Sequence, residues 1–224
     1  EMEQGRQLLG DMKRILELPE YEEKPDSSAA LSFESLEFSH VSFHYPNTEA
    51  MVLKDMCFRI EKGHHYAFVG RNGCGKSSLL KLLIGQPIAH TGTLEIGSRL
   101  TVSYVPQDMS FLSGSADDFA AESEIDITLF KTILRKLDFK RTQFTKDMSE
   151  FSMGQKKKVL LARSLCQRAN LYIWDEPLNY IDVISRLQIE TLILEYKPTM
   201  LFVEHDEAFV NDIATKVCRI SLNQ

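Results

Sequence analysis

The sequence predicts an α/β fold built on a mainly parallel sheet, and three observations carry that expectation. Apolar periodic stretches at 76–84, 127–138, 155–166 and 183–194 have helical spacing. Short β-like runs at 101–105, 171–174, 199–203 and 216–221 alternate with them. A glycine-rich segment, GRNGCGKSS at 70–78, joins one strand-like run, YAFV, to the first of those helices. Strands separated by helices are joined by crossovers rather than hairpins, and so lie parallel. The length of 224 residues suits one compact domain, or one domain with a small inserted lobe, and not two full domains.

Taken in order, Leu8, Leu9, Met12, Ile15 and Leu16 follow helical spacing and run into LPEYEEKPDSS, a charged, proline-containing stretch. Residues 1–30 therefore read as a helix end and linker from a larger parent chain, and 31–224 as the folded domain. The segment ESLEFSHVSFHYP places Leu36, Phe38, Val41 and Phe43 in partly alternating strands. VLKDMCFRIEKGHHYAFVG continues with strands broken at Gly63, leaving His64 and His65 as strand or turn residues. Phe130, Ile133, Leu134 and Leu137 form one helical stripe, which reads as core. Cys57, Cys74, Cys166 and Cys218 lack CxxC spacing and lie mostly among apolar neighbours, as reduced thiols do. The formal charge of -6 describes an ordinary surface, so any nucleic-acid contact would need a local patch. No apolar run approaches a membrane span, and the opening residues show neither an initiator Met nor a signal-peptide pattern.

The segment 70–78 satisfies G-x-x-x-x-G-K-[ST]. Gly70, Gly73 and Gly75 let the backbone curl so that successive N–H groups, with those of Arg71, Asn72 and Cys74, face inward on phosphates. The following helix, through Ser77 and Ser78, presents its positive N-terminus to the same anion. Lys76 adds a mobile charge for the β and γ phosphates, and the Ser77 hydroxyl suits Mg²⁺. LYIWDE at 171–176 reads as a buried strand delivering Asp175 to the sheet's C-terminal edge, where it can hold Mg²⁺ or its water shell. Glu176, one residue farther on, is placed to polarise an attacking water. ATP and Mg²⁺ are the expected ligands.

Further stretches resemble the ATP-binding-cassette (ABC) family across nearly the whole length. FSMGQKKKV at 151–159 looks like that family's signature loop and helix, retaining Ser152, Gly154 and Gln155 but departing from LSGGQ at Phe151 and Met153. YVPQD carries Gln107 where the family senses Mg²⁺ and couples to partners. VEHD carries His205 at the position of the switch histidine. Tyr45 stands where these proteins stack an aromatic ring on adenine, and Asp182 matches the D-loop aspartate. The resemblance implies an ABC-type P-loop NTPase core with a mainly parallel sheet, an antiparallel β subdomain and a small helical subdomain at about 111–165. It also implies Ser77, Gln107 and Asp175 on Mg²⁺, Glu176 and His205 in catalysis, and two ATP molecules sandwiched between this domain and a second cassette, in the same chain or another subunit. The lysines at 156–158 read as a solvated helix face.

The two ends point to different machines. Residues 1–88, with RILELPEYEEKP and FSHVSFHYPNTEAMVLKDMCFRIEKG, resemble an ABC exporter's nucleotide domain, which would imply a transmembrane domain as partner. From about residue 90, DEPLNYID is close to the DEPTNHLD of the ABC-F proteins, and EHDEAF is similar to their His-Asp-x-x-Phe. SRLTVSYVPQDMSFLSG and EIDITLFKTILRKLDF look like the second cassette of antibiotic-resistance members. That resemblance implies the ribosome as partner and a cytoplasmic location; an exporter domain would sit on the cytoplasmic face of the membrane. A join of the two kinds would account for both ends. A non-hydrolysing clamp is a further alternative, because Met153 sets a bulky side chain beside the signature turn.

Overall fold

The structure, a computed structural model, describes residues 35–44, 51–86, 88–95 and 100–220. Along the chain come β1 (Ser35–Phe43), β2 (Leu53–Glu61), β3 (His65–Val69), α1 (Lys76–Leu83), β4 (His90–Glu95), β5 (Val102–Val105), α2 (Ala116–Glu122) and α3 (Ile127–Lys136). They are followed by α4 (Met153–Cys166), β6 (Leu171–Asp175), α5 (Val183–Tyr196), β7 (Met200–Val203), α6 (Glu207–Ile213) and β8 (Lys216–Arg219). Two short 3-10 turns, Arg141–Gln143 and Met148–Glu150, lie between α3 and α4. The helical stretch Leu8–Leu16 and the linker to residue 30 fall outside the described residues, as does Tyr45.

Five strands form a parallel sheet in the order β5-β6-β7-β3-β8. Successive side chains on a strand point to opposite faces, and the core divides accordingly. Tyr66, Phe68, Leu171, Ile173, Leu201 and Val203 join one apolar cluster with α1 and the antiparallel strands. Ala67, Trp174, Met200 and Phe202 join the other with α3 and α4. A sheet covered on both faces explains why its strands read as continuous apolar runs rather than alternating ones. The remaining strands form an antiparallel sheet in the order β2-β1-β4. Phe38 stacks on Phe58 at 4.3 Å between ring centroids, and Phe58 meets the edge of Phe68 on β3 at 5.3 Å, so one aromatic row joins the antiparallel sheet to the parallel one.

The stripe Phe130, Ile133, Leu134 and Leu137 is buried, as the periodicity predicts. Other features depart from the sequence reading. Short α2 and α6 arise where no long periodic run exists, and side chains of Ser115 and Asp206 cap their first turns. Strand β4 adds a third strand to the antiparallel sheet. Its Gly92 (φ 85°) lies so close to the backbone of β1 that a Cβ would fall 2.3 Å from the His40 carbonyl oxygen. Cys57 is exposed rather than apolar-packed, its Sγ accepting a hydrogen bond from the His40 amide at 3.2 Å. The lysine run also departs from a solvated face, because Lys157 and Lys158 are both buried. No helix among the described residues is long and apolar enough to cross a membrane.

A buried polar knot fixes α4 against the sheet. The Ser164 hydroxyl accepts a hydrogen bond from Trp174 Nε1 at 2.9 Å and lies 2.7 Å from the Ser103 hydroxyl, which donates to Gln167 at 2.8 Å. Trp174 is the single tryptophan of the chain and is 1 % exposed, which makes its fluorescence a reporter of this core. Phe130→Ala would empty a fully buried ring site and is expected to lower stability by about 3–5 kcal/mol. A fall in the urea midpoint followed at Trp174, with an unchanged m-value, checks it.

Candidate nucleotide site

The glycine-rich loop connects β3 to α1, and two of its glycines are required by close packing. At Gly75 (φ 94°) a Cβ would fall 2.6 Å from Val52 Cγ1, and at Gly70 it would fall 2.3 Å from the Ile220 carbonyl oxygen. Gly73 lies in the left-handed region for the turn itself (φ 79°). Arg71 and Asn72 lie exposed on the loop, Cys74 is buried beneath it, and Ser77 and Ser78 sit in the first turn of α1. The Lys76 ammonium folds back over the loop and donates to the carbonyl oxygens of Gly70 at 2.7 Å and Arg71 at 3.0 Å. A bound phosphate would offer it stronger, charged acceptors at the same place.

Strand β6, inside the parallel sheet, brings Asp175 to its C-terminal end, where the carboxylate is 2 % exposed. Burial pushes the Asp175 pKa up, as does the nearby Glu176 charge, while the Ser77 hydroxyl, Lys157 and Lys76 pull the other way. Its Oδ1 is buried with no hydrogen-bond partner. An orphaned carboxylate oxygen beside a serine hydroxyl is a donor set that fits a hard divalent cation such as Mg²⁺.

Glu176 follows in a left-handed backbone conformation (φ 48°), and its amide donates to Val203 at 2.9 Å, prolonging the sheet ladder past the strand. Non-glycine residues seldom occupy that region, and such backbone strain clusters at functional sites. The Glu176 carboxylate accepts from Gln107 Nε2 at 2.8 Å and Asn179 Nδ2 at 2.5 Å, while His205 Nε2 stands 3.6 Å away. Gln107, Glu176 and His205, far apart in sequence, thus converge at the strand ends.

Two residues that the sequence reading left without a role support this cluster. Glu204, 4 % exposed at the end of β7, accepts from the amides of Leu178 at 3.2 Å, His205 at 2.7 Å and Asp206 at 3.4 Å, tying the loop after Glu176 to the loop carrying His205. Lys157, 1 % exposed on α4, donates to the carbonyl oxygens of Pro106 and Asp175, each at 3.2 Å. Burial lowers the Lys157 pKa against the pull of Asp175, Glu176 and Glu204. For Glu204 the available signal was a carboxylate ending an apolar strand, the same pattern as Asp175. For Lys157 a lysine run gives none. Asp206, capping α6, is also gripped by both terminal nitrogens of Arg186 at 2.7 and 2.9 Å.

The signature residues gather elsewhere. Ser152 caps α4: its hydroxyl accepts from the Gln155 amide at 3.3 Å, and the Gln155 side-chain oxygen accepts from the Ser152 amide at 3.0 Å. Gly154 is obligatory, since a Cβ would fall 2.5 Å from the Tyr180 carbonyl oxygen. Ser152, Gly154 and Gln155 line a shallow pocket of about 250 Å³ with Lys158, Tyr180 and Asp182, and no residue of the 70–78 loop takes part in it. Asp182 caps α5 through the Ser185 amide at 2.9 Å and pairs with Lys158 at 2.6 Å.

Residues 53–179 match the family described as "ABC transporter". The chain belongs to the ABC family. Among solved structures, it is similar to "Structure of ATP binding subunit of ABC transporter", with a TM-score of 0.72 and 21% identity over 83% of this chain and 85% of that one, a likeness of fold. Among curated proteins, the cassette is 34% identical over 195 residues to "Putative ATP-binding protein YdiF" of Bacillus subtilis, covering 84% of this chain and 30% of that protein. It is 32% identical over 173 residues to "ATP-binding protein Uup" of Escherichia coli, covering 74% of this chain and 27% of that protein. It is 29% identical over 178 residues to "ABC transporter F family member 2" of Arabidopsis thaliana, covering 77% of this chain and 26% of that protein. The chain thus spans a third or less of each of these relatives. It is an ATP-binding cassette of the Uup and F-family type, and the YdiF match is too long to be confined to the part after residue 90.

Burial raises the Asp182 pKa, but Lys158, with Ser185, outweighs it and brings the group from an ordinary 3.8 down to about 2. Its stabilising contribution is therefore complete above pH 3.8 and disappears as pH falls toward about 2. The Asp182 side chain is 48% exposed, so solvent screens the pair. Asp182→Asn should lower the melting temperature at neutral pH and leave a shallower acid dependence across that window, read by thermal unfolding at stepped pH.

Proposed function

We propose that this cassette hydrolyses ATP with Mg²⁺, in partnership with a second cassette, to drive conformational change in a ribosome-associated protein of the ABC-F kind. The observation that carries the hydrolytic reading is the Glu176 carboxylate, held by Gln107 and Asn179 beside His205 and one residue from the orphaned oxygen of Asp175. In this reading the 70–78 loop and Lys76 bind the phosphates, and Tyr45 stacks on the adenine. Ser77, Gln107 and Asp175 hold Mg²⁺, which supplies charge neutralisation on the phosphate oxygens. Glu176 accepts a proton from the attacking water, whose oxygen bonds to the γ phosphorus as the bond to the β-phosphate oxygen breaks, giving ADP and phosphate. His205 steadies the γ phosphate.

The separation of the signature pocket from the 70–78 loop supports action in trans. Ser152 and Gly154, opening the 14-residue α4, present hydroxyl and helix N-terminal donors suited to the anion of a facing cassette. Met153 is 45 % exposed, with room to move aside as a partner closes. The F-family relative, together with Pro177 and Asn179 in DEPLNYID, supports the ABC-F reading, and the ribosome as partner and a cytoplasmic location follow from that resemblance.

Glu176→Gln, in the full-length protein with its partner cassette, should cut steady-state phosphate release by about 10²–10⁴-fold, the range for a lost general base. The same variant should form an ATP-held pair of cassettes and co-sediment with ribosomes in ATP. With the two cassettes supplied as separate chains, an unchanged monomer with and without ATP in sedimentation defeats the sandwich. Wild-type protein that binds ATP yet releases no phosphate beside its partner defeats the enzyme reading in favour of a clamp.

A further inference from the structure

Lys157 is one of the buried charges among the described residues that the proposed chemistry leaves without a task. It belongs to α4, five residues beyond the Ser152 cap, so its helix begins at the signature pocket. Its ammonium nevertheless ends in the interior, on the carbonyl oxygens of Pro106 and Asp175. Pro106 immediately precedes Gln107, and Asp175 immediately precedes Glu176. One ammonium therefore fixes the backbone before both members of the Gln107–Glu176 hydrogen bond, 2.8 Å long.

A structural lysine at such depth is unusual, since burying an ammonium is costly unless it is paired and hydrogen-bonded. A leucine or methionine would fill the same space without that cost. What an apolar residue cannot do is hold two carbonyl groups of separate loops at a fixed distance from each other. We infer that Lys157 is a positioning residue for hydrolysis: by clamping the carbonyls of Pro106 and Asp175 from the signature helix, it sets the Gln107–Glu176 pair in register. Movement of that helix, when a partner docks on the signature pocket, is thereby passed to the cassette's own catalytic carboxylate. This rests on the hydrolytic reading above, but the clamp itself exists without turnover.

The test uses the full-length protein with its partner cassette and compares Lys157→Met with Lys157→Arg, which retains charge and donors. Lys157→Met should lower kcat by about tenfold or more with KM for ATP within about twofold, the pattern of an interaction realised only in the transition state. Lys157→Arg should recover part of the loss. Hydrogen exchange in Lys157→Met should quicken at residues 107–109 and 176–179 while the 70–78 loop keeps its protection. An unchanged kcat, a rise in KM that accounts for the loss, or Arg no better than Met overturns the inference. If Lys157→Met fails to fold, Lys157→Gln, which keeps an amide NH2 but not the charge, is held to the same kcat and exchange criteria against wild type. Should wild type release no phosphate at all, the proposed function falls, whereas the exchange pattern still decides the clamp: uniform exchange across all three segments overturns it.

Discussion

The structure depends on one constraint, the burial of a carboxylate at the end of an interior parallel strand. Asp175 can sit there because β6 has β5 on one side and β7 on the other, so the strand beneath it is hydrogen-bonded along both edges. The low-dielectric surroundings that raise its pKa are the same ones that would strengthen its grip on a cation. Around it the neighbours are arranged to offset that burial: the Ser77 hydroxyl and the Lys157 and Lys76 ammoniums.

Part of the backbone strain lies beside this carboxylate, while His40, Asp55, Glu124, Asp138 and Lys197 are left-handed elsewhere in the fold. Glu176 is left-handed immediately after Asp175, and the loop that follows returns through Tyr180, also left-handed (φ 67°), to meet Gly154. Side chains as small as glycine are needed at Gly70 and Gly154, where a carbonyl oxygen occupies the space a Cβ would take, and at Gly75, where the Val52 side chain does. The signature loop, the loop after Glu176 and the D-loop thus form one packed surface, which is why Asp182 reaches Lys158 and caps α5 within this chain as well as standing at the place proposed for a partner.

Much of the architecture was legible from pattern. The buried strands of the parallel sheet appeared as short apolar runs and the longer helices as 3.6-residue periodicity, while the loop 70–78 declared itself by spacing. What pattern missed has a common cause. Helices α2 and α6 are each seven residues, too short to show a period, and exist because a cap and tertiary packing hold them. Lys157 and Lys158 were read as solvated because composition favours that, whereas the cluster of carboxylates and carbonyls that receives them comes from segments far away in sequence.

The sequence by itself determined which chemical groups are available to the proposed ATP site: a glycine-rich loop, a strand-end Asp-Glu pair, a glutamine, a histidine and the turn at 151–155. Local spacing is enough for that, because each motif's chemistry is carried within a few consecutive residues. Only the tertiary structure decided how the groups stand toward one another. It brought Gln107 and Asn179 onto Glu176, left one oxygen of Asp175 without a partner, and ran Lys157 from α4 onto the Asp175 carbonyl beneath that cluster. Those relations arise between strands and helices distant in the chain, and packing of a sheet covered on both faces, rather than any local preference, sets them.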